Sequence, residues 1–272
     1  MTNDLIEKVF KTSRYYYART KVGLRDIRFS IRPVSLYKPI FVVGCSRAGT
    51  TLVYKTMSES KELGSLNKET HDFWSSLHPL DQVEWNTHEV SESSACEKDR
   101  LAASQLFYTQ TGRRRIVDKS NQNGLSIPFL YQLFPDAHFV FIHRNPGDNI
   151  ESLIRGWGKP DEFATWSENI PKSVNIDNGF YNRWCFFLAE DWRNYCKSSI
   201  EDVCAYQYSV MNKAILRARL TVRESQWHQI SYEEIINDPV KSFQKLFESC
   251  GLTFDARLKL HCQSILDRPY NT

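Results

Sequence analysis

The stretch Phe41-Val42-Val43-Gly44-Cys45-Ser46-Arg47-Ala48-Gly49-Thr50-Thr51 joins an apolar run to a loop bounded by two glycines. Residues 39–43 are uninterrupted by charge and stop at Gly44, the pattern of a strand buried on both faces of a parallel sheet. A helix is predicted directly behind the loop. Thr50 and Thr51 are placed to cap it, Leu52, Val53 and Met57 form its buried stripe, and Gly64 ends the unit. Strand, tight loop and helix in that order make an anion site: loop amides converge on one point, and the helix N-terminus adds about half a unit of positive charge there.

The glycine spacing matches the G-x-x-x-x-G of a nucleoside-triphosphate loop, yet the Lys that should follow the second glycine is replaced by Thr50. The only cation, Arg47, lies inside the loop. A kinase or triphosphatase also needs a strand-end carboxylate to help hold magnesium. The run His138–His143 leads into Arg144 rather than Asp, so Asp118, at the end of Arg115-Ile116-Val117-Asp118, is what keeps that alternative open. A tight turn with no ligand is the plainest alternative.

Working outward, the runs at 115–118 and 138–143 read as two more strands, each with a helical pattern behind it. The first helix holds Leu125, Phe129, Leu130, Leu133 and Phe134 and ends before Pro135; the second has Asn145 as N-cap and Pro146 as its first residue. This alternation predicts an α/β fold, a single three-layer domain with a central parallel β-sheet flanked by helices, like that of the phosphate-loop NTPases. Its span is 37–272, behind a basic helical arm at 1–36. Residues 156–179, rich in Gly and Pro and carrying Trp157, Phe163 and Trp166, predict a long loop with short helical pieces, suited to an acceptor pocket. Beyond it the pattern predicts amphipathic helices at 181–197 and 203–220, a strand at Trp227–Ser231, and a helix over Pro239–Ser249 stopped by Gly251.

Composition narrows the function classes. With 272 residues, 41% apolar and 25% charged, the chain is neither disordered, collagenous nor repetitive, and is long enough for a sizeable core. A net charge of +3 without a nucleic-acid motif argues against a nucleic-acid partner. Eight Lys/Arg against Asp4, Glu7 and Asp26 nevertheless make residues 1–32 net +5. Such an arm suits peripheral contact with a membrane surface, the alternative being an ordinary solvated helix face. Seven cysteines without a C-x-x-C pair indicate neither a disulfide framework nor a zinc site. With no apolar stretch of leader or bilayer-spanning length, a cytoplasmic protein is expected. Oligomeric state is not readable from the sequence.

A second anion-binding segment, Phe139-Val140-Phe141-Ile142-His143-Arg144-Asn145-Pro146-Gly147-Asp148-Asn149-Ile150-Glu151-Ser152, sets Arg144 at a strand end and Ser152 about two turns into the next helix. One guanidinium and one hydroxyl can grip a single phosphate. Taken alone, Arg144 and Ser152 also suit a merely decorated helix.

Together the two segments resemble the sulfotransferases that use 3′-phosphoadenosine 5′-phosphosulfate (PAPS). Their 5′-phosphosulfate loop reads G-x-x-[KR]-[SA]-G-T-T and is matched by Gly44 to Thr51; their 3′-phosphate motif has Arg, then Asp/Asn-Pro, then Ser eight residues after the Arg. The resemblance implies that Cys45, Ser46, Arg47, Ala48, Gly49, Thr50 and Thr51 hold the 5′-phosphosulfate, and that Arg144 and Ser152 hold the 3′-phosphate. It extends to Asp118-Lys119-Ser120-Asn121 and to Tyr232–Pro239 with Gly251-Leu252, so it covers residues 38–255 and leaves the N-terminal arm aside. It implies PAPS as co-substrate, its 3′,5′-bisphosphate (PAP) as product, and no metal.

Sulfuryl transfer needs cations to meet the leaving-group charge and a base to take the acceptor proton. Arg47 suits the first task, with Lys119, at its own strand end, assisting. Cytosolic members use a His two residues after the middle Lys, where this chain has Asn121. Glycan and tyrosylprotein members use a Glu after the first helix, and Asn67-Lys68-Glu69-Thr70-His71-Asp72-Phe73-Trp74 resembles that segment. Glu69 is therefore the expected base, with His71 as a second candidate. Leu52 stands where cytosolic members place an adenine-stacking Trp, and the sequence has no counterpart of their closing R-x-x-G-x-x-G-D-W-K segment. The Glu base favours a carbohydrate or lipid-linked hydroxyl over a peptide tyrosine as acceptor, with other small molecules open. A non-catalytic nucleotide-binding protein is the remaining alternative.

Overall fold

Four short strands run parallel in the order β2-β1-β3-β4: β1 Ile40–Val43, β2 Val117–Lys119, β3 His138–His143 and β4 Trp227–Ser231. The structure is a computed structural model that describes residues 2–266, side chains of residues 2–11, 14, 15 and 168 excepted. Register pairs Val42 with Lys119 on one side of β1 and Val43 with Phe141 on the other. β1 is buried throughout, and its side chains alternate between two cores because a strand has a period of two. Phe41 and Val43 join Phe139 and Phe141 on one face, while Ile40 and Val42 join Val140 and Ile142 on the other.

The helices α1 Thr2–Ile31, α2 Thr50–Ser58, α3 His71–Leu77, α4 Glu97–Thr111 and α5 Ile127–Leu133 precede or interleave the first three strands. After β3 come α6 Pro146–Trp157, the one-turn α7 Pro160–Phe163 and the long α8 Ile200–Ala218; after β4 come α9 Tyr232–Asn237, α10 Pro239–Ser249 and α11 Ala256–Gln263. Apolar side chains of α2, α9, α10 and α11 cover the second face, and those of α4, α5, α6 and α8 the first, giving the three layers expected of the α/β class. The helix starts follow local chemistry. Asn145 Oδ1 accepts from the amides of Gly147 and Asp148, with Pro146 filling the first helical position; Ser231 and Glu234 form a capping box at α9.

Four local expectations need correction. Thr50 and Thr51 are the first helical residues of α2, not its caps, because Gly49 takes the N-cap position with φ of 103° and offers no side chain. Helix α2 already ends at Ser58, and Gly64 instead bridges Ile116 in parallel. The second strand, Val117–Lys119, starts two residues later than the expected run at 115–118 and ends one residue beyond it. Residues 181–197 form no α-helix, only one 3-10 turn at Trp192–Tyr195: Trp184-Cys185-Phe186-Phe187-Leu188-Ala189 is buried on every side, and Phe186 and Asp191 have positive φ. A run apolar all round has no solvent face, and here tertiary partners replace helical ones. The Trp184 indole donates to the Phe187 carbonyl, the Trp192 indole to that of Trp85, and Gln207 of α8 donates to that of Cys185.

Candidate active site

Parallel strands bring their carboxyl ends to one edge, so the loop after β1, Lys119 at the end of β2 and Arg144 just past β3 meet there. The loop lies hard against β3: a Cβ on Gly44 would stand 2.5 Å from the Ile142 carbonyl oxygen. Gly49 is similarly constrained, with positive φ and the Tyr232 ring 2.7 Å from where a Cβ would be. Arg47 also has positive φ, 69°, which turns the loop sharply between these glycines. Asn149 of α6 donates to the Ser46 carbonyl at 2.9 Å and ties the loop down from the other side.

Within this frame the expected donor residues divide by what they can offer. Ser46 Oγ is enclosed and has no protein partner, a buried hydroxyl suited to a ligand oxygen. Cys45 and Ala48 have their side chains in the core, burial pushes the Cys45 thiol pKa up, and only their main-chain groups are left for a ligand. The Ala48 amide already donates to the Cys45 carbonyl. Thr50 and Thr51 begin α2 beside Lys119, whose Nζ lies 3.5 Å from Thr51 Oγ1.

Arg47, Arg144 and Ser152 form one patch. Arg47 Nε donates to Ser152 Oγ at 3.3 Å, and Arg144 Nη1 donates to the Arg47 carbonyl at 3.3 Å. The Arg144 guanidinium stacks 4.5 Å over the Tyr232 ring and has its Nε buried without a partner. Burial lowers the Arg47 pKa, with Arg144 and Arg155 lowering it further and Glu162 opposing them. Neighbouring like charges in a partly dry site favour an anion.

Glu69 and His71 sit on the other side of the loop. Glu69 Oε1 pairs with Lys119 Nζ at 2.5 Å; the lysine side chain is 6% exposed and the carboxylate 37%, so Lys119 is not a surface residue. The segment is stapled by Asp118, whose fully buried carboxylate accepts from the Thr70 hydroxyl at 2.7 Å, the Trp74 indole at 3.0 Å and the Asn123 amide at 3.2 Å. Alternation along β2 turns Asp118 into the core face opposite α2, while Lys119 faces the loop. His71 opens α3, with Nε2 3.2 Å from Asp72 and Nδ1 enclosed without a partner. Among the described residues no cluster of three or more His, Cys, Asp or Glu has metal-binding geometry.

Two cavities meet at Glu69. A cleft of about 70 Å³ is lined by the loop, Lys119 and Asn121; beyond it a cavity of about 550 Å³ is lined by His71, Trp85, His88 and Trp166. Glu69, Asn121, Phe163 and Phe186 border both. Of the loop aromatics, Phe163 and Trp166 face the cavity. Trp157 does not: it closes α6 in the core, its indole donating to Gln207 at 3.0 Å. The sequence reading missed Asn149, Phe186 and the stacking role of Tyr232. No local pattern marks Phe186, but Asn149 and Tyr232 stand in segments already matched by resemblance.

A glycine loop between a buried strand and a helix, with cations converging from neighbouring strand ends, gives an α/β protein the phosphate-loop arrangement, which suits an anion. The chain belongs to the sulfotransferase family of enzymes, whose sequence profile matches residues 39–256. Over 138 residues it is 27% identical to nodulation protein NoeE of Sinorhizobium fredii, a match covering 44% of this chain and 32% of NoeE, so it spans about a third of that relative's length. The fold is similar to that of sulfotransferase STF9 from Mycobacterium avium, with TM-score 0.56 at 13% identity over 94% of this chain and 76% of the other. A sulfotransferase from Alicyclobacillus acidocaldarius aligns with TM-score 0.51 at 16% identity over 86% and 92%.

Proposed function

We propose that the chain transfers the sulfuryl group of PAPS to an acceptor hydroxyl of a carbohydrate, lipid or small molecule, with Glu69 as general base. The observation that carries this reading is that one carboxylate borders both the anion cleft and the larger cavity. The acceptor oxygen attacks sulfur in line, the bond from sulfur to the bridging oxygen breaks, PAP leaves, and the acceptor proton passes to Glu69. Arg47 and Lys119 meet the charge growing on the departing oxygen. Ser46, Thr50, Thr51 and the loop amides hold the 5′-phosphate; Arg144 and Ser152 hold the 3′-phosphate. His71, on the same cavity wall, is a second proton acceptor. A phosphoryl-transfer scheme is disfavoured because Asp118, the strand-end carboxylate it would use for magnesium, faces the core and is engaged by three donors.

Radiolabelled PAPS, a panel of hydroxyl acceptors and calorimetry with PAP test the reading. Glu69→Gln is expected to lower kcat by about a hundredfold or more, the usual range for a lost general base, with PAP affinity within about twofold of the parent. Full turnover by that variant removes Glu69 as the base, and failure of PAP to bind removes the donor.

For the N-terminal arm the reading is peripheral contact with an anionic membrane surface. Tyr17, Leu24, Ile27 and Ile31, all more than half exposed, recur at helical spacing along α1, with Lys21 and Arg28 beside them. Co-sedimentation with phosphatidylserine vesicles but not phosphatidylcholine vesicles is expected, and equal recovery with both excludes it.

A further inference from the structure

We infer that the acceptor is an uncharged or cationic amphiphile, with its hydroxyl-bearing polar end beside Glu69 and a ring-sized or short-chain apolar end in an adjoining chamber. The inference rests on the reading of the 550 Å³ cavity as the acceptor side of a sulfotransferase.

That cavity has a second room. A chamber of about 200 Å³ shares Ser75, Leu80, His88 and Gln122 with it; beyond them Trp74, Val83, Val90, Phe129 and Leu130 form an apolar wall, and polar groups including His78, Glu89 and Asn123 complete the lining. A cavity of roughly 150 Å³ is large enough for a benzene molecule, so the space against that apolar wall has room for a substituted ring or a chain of comparable volume. Its outer wall is the segment between α3 and α4, which is fixed from three sides. The Val90 amide donates to Ser126 Oγ at 2.9 Å, the His88 amide to the Leu188 carbonyl at 3.0 Å, and the Trp192 indole to the Trp85 carbonyl at 2.9 Å. A chamber held this way is preformed.

The outer room differs in chemistry. Trp166 Nε1, His71 Nδ1 and Asn121 Oδ1 are enclosed and lack protein partners, and these residues line the room, so hydroxyl or amide groups of a ligand can satisfy them. Its charged lining is one-sided. Asp81 and Glu162 border it together with Asp72, which lies against His71, and Glu69, which is paired with Lys119 from the neighbouring cleft; among the described residues no Lys or Arg lines the room itself. An acceptor already bearing sulfate or carboxylate groups would meet like charge on entry, whereas a neutral or cationic one would not.

Three glucosides separate these requirements: octyl glucoside, methyl glucoside, which lacks the apolar end, and octyl glucuronide, which adds a carboxylate. Their binding to the PAP-loaded protein is measured by calorimetry, and sulfuryl transfer to each is measured from radiolabelled PAPS. Octyl glucoside is expected to bind about tenfold or more tighter than either of the others, since methyl glucoside lacks the methylenes that strengthen binding when buried and the glucuronide carboxylate meets the acidic lining. Val90→Trp, which fills the chamber, is expected to abolish the octyl advantage with PAP affinity unchanged. Octyl and methyl glucosides of equal affinity, a glucuronide that binds as well as octyl glucoside, no glucoside binding to a protein that binds PAP, or a Val90→Trp variant that keeps the octyl preference would each overturn the inference. Failure of PAP itself to bind would instead strike the function on which it rests.

Discussion

Arg47 and Ser152 are hydrogen-bonded across 105 residues of chain, Nε to Oγ at 3.3 Å. This contact joins the first loop to helix α6, and with Arg144 on the Arg47 carbonyl it makes one cationic patch of two sequence segments. A doubly phosphorylated adenosine needs such a junction, because its two phosphate ends must be held by one protein surface.

Loss of either α6-side group is therefore expected to weaken PAP. Hydrogen bonds to charged groups contribute about 1.5–3 kcal/mol, so Ser152→Ala should cost roughly tenfold in Kd and Arg144→Ala roughly a hundredfold. Calorimetry at two salt concentrations measures both, with the arginine variant also losing part of the salt dependence. An unchanged Kd in Arg144→Ala would detach the 3′-phosphate from this site.

Gly44→Ala is expected to be severe for a reason independent of charge. The added methyl would lie 2.5 Å from the Ile142 backbone oxygen, an atom that cannot swing aside, so the loop must lift from β3. PAP binding should be lost along with several kcal/mol of stability, on the order of an overpacked core. Gly251→Ala is the control: nothing lies within 4 Å of its Cβ, and only the cost of its positive φ remains. Similar losses in both variants would rule out close approach as the cause.

Asp118 acts through its neighbours. Asp118→Ala leaves the Thr70 hydroxyl, the Trp74 indole and the Asn123 amide without their buried acceptor, which should cost about 3 kcal/mol in urea unfolding. Because Thr70 adjoins Glu69, kcat should fall more than PAP affinity. A variant with parental kcat and stability would show that the staple does not position Glu69.

Acid should destabilise the fold through three buried histidines. Burial lowers the pKa of His88, His138 and His228 from 6.5 to about 4. His88 Nδ1 accepts the Leu188 amide at 2.7 Å, a contact available only to the neutral ring. The unfolded chain takes up these protons near pH 6.5 and the folded one only near 4, so stability is full above 6.5 and falls as pH drops toward 4. His88 alone accounts for about 3 kcal/mol of that fall. Urea midpoints at pH 7, 6 and 5 check it, with His88→Gln expected to flatten the slope; a flat profile in the parent protein would refute the assignment.

Those elements that depend on near neighbours were legible without coordinates. The run ending at Gly44, the His138–His143 strand, the Asn145-Pro146 start of α6 and the Pro239–Ser249 helix follow from local propensity and capping, which act over a few residues. Residues 184–189 defeated the same reasoning, because an all-apolar run does not reveal whether its surroundings satisfy the backbone by helix or by tertiary bonds.

By itself, then, the sequence determined the glycine loop, the strand before it, the His138–His143 strand and the start of the helix behind that strand. Only the tertiary structure decided that Arg47 meets Ser152, that Glu69 meets Lys119, that Asp118 serves the core, and that Glu69 divides two cavities. Local preferences set which elements form. Distances between groups 50 or 105 residues apart are fixed by how those elements pack, and no window of sequence contains that information.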